Sequence, residues 1–211
     1  MRTQIKLSPK TTQKLQLKTS LIYTGAGIML TSILGFLCFL YLNIGNSDDA
    51  LANTTFSTRA SGNWNTSTTW SGTAPTRRLS NKNTVNILAN HEVVVDTDLY
   101  FEQNTFLYVY GTLFIKGNLT MEQGSTLVVE QGAVLVVLGN FDAMHHQTFI
   151  NKGNIAVMGD ITTSHQSTYS NTGNIYADAP LPTTGTPQQP ESNIQNNAVM
   201  SDIMQRNGYS F

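Results

Sequence analysis

The sequence predicts an all-β protein: a short parallel β-helix of about four to five rungs of ~21 residues, behind an N-terminal transmembrane or signal-anchor helix. Three observations carry that expectation. A threonine recurs at Thr84, Thr105, Thr126, Thr148 and Thr168, at intervals of 21, 21, 22 and 20, each opening a short phrase such as Thr126-Leu127-Val128-Val129. A turn residue follows five or six positions on (Asn90, Gly111, Gly132, Gly153, Gly173), and Gly117-Asn118, Gly139-Asn140 and Gly159-Asp160 punctuate three of the repeats. The apolar runs within a unit are three to six residues long, and none follows the i, i+3, i+4, i+7 pattern of a helix. The alternative is an antiparallel sandwich with a chance repeat, but sandwich strands seldom hold register this well.

The elements follow in chain order. Residues 1–20 form a basic cytoplasmic segment, with Arg2, Lys6, Lys10, Lys14 and Lys18 four apart and no acidic residue before Asp48. Residues 21–43 read as the membrane helix. Leu21 to Leu42 is a charge-free run of 22 residues. At helical rise it reaches roughly 33 Å, enough to span a bilayer. The basic flank stays inside, so everything after it is exported. The charges agree, with 5 basic residues before the span and 7 basic against 13 acidic after it, a net of −6. Gly27, Thr31 and Gly35 share one face of the span, a small-residue pattern that pairs helices. Residues 44–55 are a linker holding Ala50-Leu51-Ala52, an A-x-A signal; processing after Ala52 would leave a secreted chain starting at Asn53. A retained anchor is the preferred reading. The single cysteine, Cys38, lies within the span, so neither a disulfide framework nor a thiolate metal site is available.

Residues 56–83 read as an N-terminal cap in which Trp64 and Trp70 cover the open apolar end of the first rung. Residues 84–178 are the rungs. One expected core column is Val85, Phe106, Leu127, Phe149 and Tyr169, and a second is Val93, Leu113, Val134 or Leu135, Ile155 and Ile175. Asn151 and Asn171 share a slot and form an expected asparagine ladder. The turn glycines and asparagines are expected to supply positive φ. Residues 179–211, rich in Pro, Gln and Asn, read as a disordered tail, with scattered apolar residues from Ile194 onward offering a short helix. Leu181 to Gly185 spells a sortase-like LPTTG, without the apolar span and basic residues that such a signal needs after it.

The opening Ser61-Gly62-Asn63-Trp64 … Thr69-Trp70-Ser71-Gly72 … Pro75, followed by His91-Glu92-Val93-Val94-Val95-Asp96 and rungs such as Gly111-Thr112-Leu113, resembles the β-helical head module of secreted and surface proteins of Bacteroidota. It is also distantly similar to the G8 domain of extracellular carbohydrate-associated proteins. The resemblance covers about residues 56–178. It implies export and a right-handed β-helix, and it transfers no catalytic residue.

Candidate sites are few. Glu92, Asp96, Asp98 and Glu102 could gather as the carboxylates of a polysaccharide-active enzyme, although Asp96 and Asp98 read better as turn residues. His145 and His165 hold equivalent places on adjacent rungs, with His146 alongside. Such imidazoles could ligate zinc or copper, but a surface polar ladder is preferred. Tyr100, Tyr108 and Tyr110 are candidate outward aromatics; Tyr108 and Tyr110, two apart on a strand, share a face and suit stacking on a sugar. Nothing resembles a nucleophile elbow, a phosphate loop or a basic nucleic-acid surface. The sequence therefore points to a noncatalytic envelope-exposed solenoid, structural or adhesive, needing no cofactor. Its partners would be the membrane and an envelope protein or polysaccharide. Carbohydrate binding is the alternative, and a cytoskeletal polymer like the bactofilins is disfavoured because the rungs lie on the exported side.

Overall fold

A computed structural model describes residues 53–80, 82–164, 166–179, 184–185 and 188–210. The basic segment, the expected span with Cys38 and its Gly27–Thr31–Gly35 face, and the Ala50-Leu51-Ala52 signal lie outside the described residues. No helix among the described residues is long and apolar enough to cross a membrane.

The chain forms a parallel β-solenoid. Each complete turn contributes three strands, one to each of three sheets. The cap supplies the first turn, with β1 (Thr55–Ser57), β2 (Gly62–Asn63) and β3 (Arg78–Leu79). β4 (Thr84–Ile87), β5 (Glu92–Val95) and β6 (Leu99–Phe101) make the second, and β7 (Phe106–Val109), β8 (Thr112–Ile115) and β9 (Leu119–Met121) the third. The fourth is β10 (Thr126–Val129), β11 (Val134–Val137) and β12 (Phe141–Ala143); the fifth is β13 (Thr148–Asn151), β14 (Asn154–Val157) and β15 (Ile161–Thr163). β16 (Thr168–Asn171), β17 (Asn174–Tyr176) and β18 (Thr184–Gly185) end the stack. The first sheet runs β1-β4-β7-β10-β13-β16-β18, the second from β2 to β17, and the third from β3 to β15.

Alternation along each strand sends every second side chain inward. In the first sheet the inner column is Val85, Leu107, Leu127, Phe149 and Tyr169, which corrects the expected Phe106 to Leu107. Thr105 is the cause. It sits in the corner before β7, fully buried, with its hydroxyl bonded to Glu102 O at 2.8 Å and to Ser125 Oγ at 3.1 Å. Phe106 therefore takes the outward place of Thr84 and Thr126. In the second sheet the column is Val93, Leu113, Leu135, Ile155 and Ile175; Val134 faces outward. Asn151 and Asn171 replace apolar residues on one inner column, and Asn151 Nδ2 donates to Asn171 Oδ1 at 2.8 Å. Each also accepts a backbone N–H, from Gly153 and Gly173, so the buried amides are satisfied.

The cap closes the first end. Trp64 and Trp70 are buried, edge to face with centroids 5.0 Å apart, and Trp70 Nε1 donates to Trp64 O at 2.7 Å. Trp70 also bridges Thr58 antiparallel, and Ser71 N donates to Ser57 O at 2.9 Å. The outer rim of β1 is thus already paired.

The tail corrects the expectation of disorder over 188–210. Gln189 bridges Tyr176, a 3₁₀ segment spans Glu191–Asn196, and helix α1 spans Ala198–Arg206. Asn197 caps α1 by accepting from Met200 N at 3.2 Å. Met200, Ile203 and Met204 fall on one helical face and pack with Ile194 on the outer side of the second sheet, against Phe114, Val134, Val136 and Ala156. Burying that apolar face is the reason the segment orders. The helix lies along the side of the solenoid rather than over its last rung. Thr184 and Gly185, the end of the sortase-like motif, are built into β18, which pairs with β16.

Glycine serves close approach more than positive φ. Asn90 (φ 64°) and Gly132 (φ 81°) do take left-handed turns, whereas Gly111, Gly153 and Gly173 do not. A Cβ on Gly139 would strike Asn118 Oδ1 and the Gly117 backbone, while one on Gly72 meets nothing within 4 Å. Gly139→Ala is expected to cost about 1–3 kcal/mol by overpacking, and Gly72→Ala to leave stability unchanged or slightly higher. Urea midpoints check both; equal midpoints would mean the stack tolerates an extra carbon at that corner.

Burial raises the Glu191 carboxyl pKa above its ordinary 4.5, the nearby Asp178 charge adds to the shift, and the Tyr209 hydroxyl opposes it. The folded chain holds this proton more tightly than the unfolded one, so the stabilisation is complete below the ordinary value and is lost as pH rises through the folded one. Amide-exchange protection of α1 should therefore fall less between acidic and neutral pH in Glu191→Gln than in the unaltered chain. The same pH dependence in both would rule this group out.

Candidate functional site

The outer sides of the three sheets differ in chemistry. The second is covered by α1. The third is polar, with Thr120, Asp142 and Thr162 outward and a closed network at its cap end. There Arg78 lies over the Tyr100 ring at 4.1 Å and pairs with Glu102 at 2.7 Å, and Tyr100 donates its hydroxyl proton to Glu122. That bond, with burial and the Glu122 charge, holds the Tyr100 hydroxyl above its usual range against the opposing pull of Arg78. Tyr100 is thus on a different sheet from Tyr108 and Tyr110.

The first sheet is open. Phe106, Tyr108, Val128 and Ile150 project from it, flanked by the Lys152–Glu130 ion pair at 3.0 Å. Tyr108 is half-buried, Tyr110 is 42% exposed, and their rings lie 6.5 Å apart at 21°. Neither ring points into the core.

Turn length shapes the corner between the first and second sheets. Residues 88–91 and 130–133 make four-residue turns, whereas 110–111 makes a two-residue turn between them. The short turn is recessed: Gly111 tucks beneath the carbonyls of Leu88 and His91 so closely that a Cβ would collide with both. The result is an open groove of about 510 Å³ beside Tyr110, walled by Asn90 and His91 on one side and Gln131 on the other. Arg206 of α1 joins it on the second-sheet side and is paired with Glu92. His91 Nδ1 and Thr58 Oγ1 share a hydrogen bond of 2.8 Å, which fixes the ring. Sequence reasoning missed this groove because the turn residues themselves recur almost evenly, at 90, 111, 132, 153 and 173. The signal was the number of residues between strands, which needs strand ends.

The four candidate carboxylates are dispersed in function. Glu92 is held by Arg206 and by Asn207 Nδ2 at 2.9 Å, Asp96 pairs with Lys116 at 2.8 Å, and Glu102 pairs with Arg78. Asp98 Oδ1 accepts from Asn118 N at 2.8 Å as a turn residue. His145 and His146 are exposed in a corner, His146 with φ 58° in a left-handed column with Asn104, Gly124 and Gln166. His165 lies outside the described residues. Among the described residues, no three His, Cys, Asp or Glu side chains come together as a metal site.

The fold and surface define a capped parallel β-solenoid with one open aromatic face. No family model, curated protein or solved structure matches the chain.

Because the tyrosines face outward, Tyr108→Ala and Tyr110→Ala are expected to shift stability by no more than about 1 kcal/mol. Leu107→Ala, next to Tyr108 in the chain but on the inner side and fully buried, is expected to cost about 2–5 kcal/mol. Denaturant unfolding of the three variants decides it; comparable losses would put the rings in the core.

Proposed function

We propose that the chain is a noncatalytic, envelope-exposed solenoid, structural or adhesive, that works by contact through the open face of its first sheet. The observation that carries this reading is the unequal treatment of surfaces. The second sheet is covered by a helix, the β1 edge of the cap is paired, and the polar groups at the cap end of the third sheet are engaged with one another, while Phe106, Tyr108 and Ile150 are left along one side. Each candidate catalytic carboxylate already has its own partner, which favours a structural role for it. The paired edge of β1 also opposes head-to-tail extension of the first sheet.

Export rests on the charge-free run over 21–43 and its basic flank, and so does a membrane partner. The Trp64–Trp70 opening is the more specific part of the resemblance to surface head modules, and right-handed coiling follows the general rule for parallel crossovers. The observation favouring the alternative, carbohydrate binding, is the near-parallel Tyr108–Tyr110 pair facing solvent.

A photo-crosslinking residue at Phe106 or Ile150, in cells that make the protein, is expected to give discrete adducts. The same residue at Thr162 on the third sheet is expected to give none. Adducts from both sheets alike, or from the third only, would overturn the assignment of the working face.

A further inference from the structure

We propose that the recessed corner beside Tyr110 is a binding site for a neutral saccharide, an inference that rests on the carbohydrate reading of the tyrosine face. The recess exists because a two-residue turn at 110–111 lies between four-residue turns at 88–91 and 130–133. Its volume, about 510 Å³, falls within the range of small-molecule sites, roughly 300–1,000 Å³. Tyr110 supplies an exposed aromatic face, the surface on which the C–H side of a pyranose ring packs. The walls supply hydrogen-bonding groups of both senses: the exposed carboxamides of Asn90 and Gln131, and the His91 imidazole with Nδ1 fixed by Thr58 and Nε2 on its far side. Sugar hydroxyls need that mixture of donors and acceptors.

Charge narrows the ligand class. The two ionic groups at the groove, Glu92 and Arg206, neutralise each other, and Arg206 is held on its other side by Asp202 at 2.9 Å. No excess positive charge remains there to favour a phosphate, a sulfate or a uronate. Tyr108 on the first sheet lies 6.5 Å from Tyr110, outside the groove itself, so a longer chain would extend from the corner across the sheet.

Titration of the full chain, held in a sugar-free detergent, against neutral hexasaccharides of glucose, mannose, xylose and galactose, with an oligogalacturonate as the charged probe, tests this. The expected result is saturable binding of at least one neutral probe, weakened about tenfold or more by Gln131→Ala and by Tyr110→Ala, with the fold intact by circular dichroism. Binding that survives Gln131→Ala and Asn90→Ala but is lost on Tyr108→Ala would overturn the corner site and leave the tyrosine face standing. Binding of the oligogalacturonate in preference to every neutral probe would overturn the neutral assignment. No binding of any probe by the unaltered chain would remove the corner site and the carbohydrate reading together.

Discussion

The register of the whole stack depends on one contact, repeated where the chain passes from the second sheet to the third. Asp98 Oδ1 accepts the backbone N–H of Asn118, Asn118 Oδ1 that of Asn140, and Asn140 Oδ1 that of Asp160, at 2.8, 2.8 and 3.0 Å. Each short acidic or amide side chain thus reaches one rung along and satisfies a corner donor that the strand ladders leave out. The geometry demands glycine immediately before each donor of the bond: Gly117, Gly139 and Gly159 lie against the preceding Asp98, Asn118 and Asn140 oxygens, where a Cβ would collide. A slip of one residue would lose the bond and bring a side chain into the oxygen. It would also turn every apolar column inside out.

A solenoid locked this way still has ends and sides to manage, and this one treats them by separate means. At the cap, Trp64 and Trp70 fill the interior below the first full rung while the segment around Trp70 pairs with the rim of β1. At the far end the apolar interior gives way to Tyr169, Asn151 and Asn171, whose polar atoms suit a thinning core. The chain then adds β18 to the first sheet and Gln189 to the second before folding back. Along the second sheet, α1 is anchored beyond its apolar contacts by Glu92, which takes hydrogen bonds from both Arg206 and Asn207. Those residues are more than a hundred positions from Glu92 in the chain, so the tail ties late sequence to an early rung.

The solenoid was legible because its determinants are local and repeated. Runs of alternating apolar residues recur along the rungs, the Gly-Asn or Gly-Asp corner recurs in three of them, and neither needs tertiary knowledge. What escaped the sequence needed it. Thr105 carries the same residue type as Thr84 and Thr126 but belongs to a corner, and only the hydrogen bonds to Glu102 and Ser125 distinguish the two roles. The tail looked disordered because its own composition is polar; the driving force for its order lies elsewhere, in Phe114, Val134, Val136 and Ala156. A sign of this was present. Val134-Leu135-Val136-Val137 has no polar residue on either side, which marks a strand covered on both faces. The tyrosine pair could be placed on one face by period-two reasoning, whereas the groove beside it depended on turn lengths that only fixed strand ends reveal.

The first and second sheets present neighbouring outer faces on the same rungs, yet one is covered and the other is not, and the residue types account for it. Phe114, Val134 and Val136 have no polar atom in the side chain and gain only by burial, so the second face draws a helix onto itself. The corresponding column of the first sheet runs Ser57, Asn86, Tyr108, Val128, Ile150 and Ser170. Its apolar centre is short, it is bounded by groups that hydrogen-bond water, and Val128 is only 7% exposed within its surroundings. A tyrosine at such a place keeps its hydroxyl solvated while its ring shields the aliphatic neighbours. The face is therefore stable without a cover and still offers flat aromatic area. That combination separates it from the second face, which gains only by being sealed.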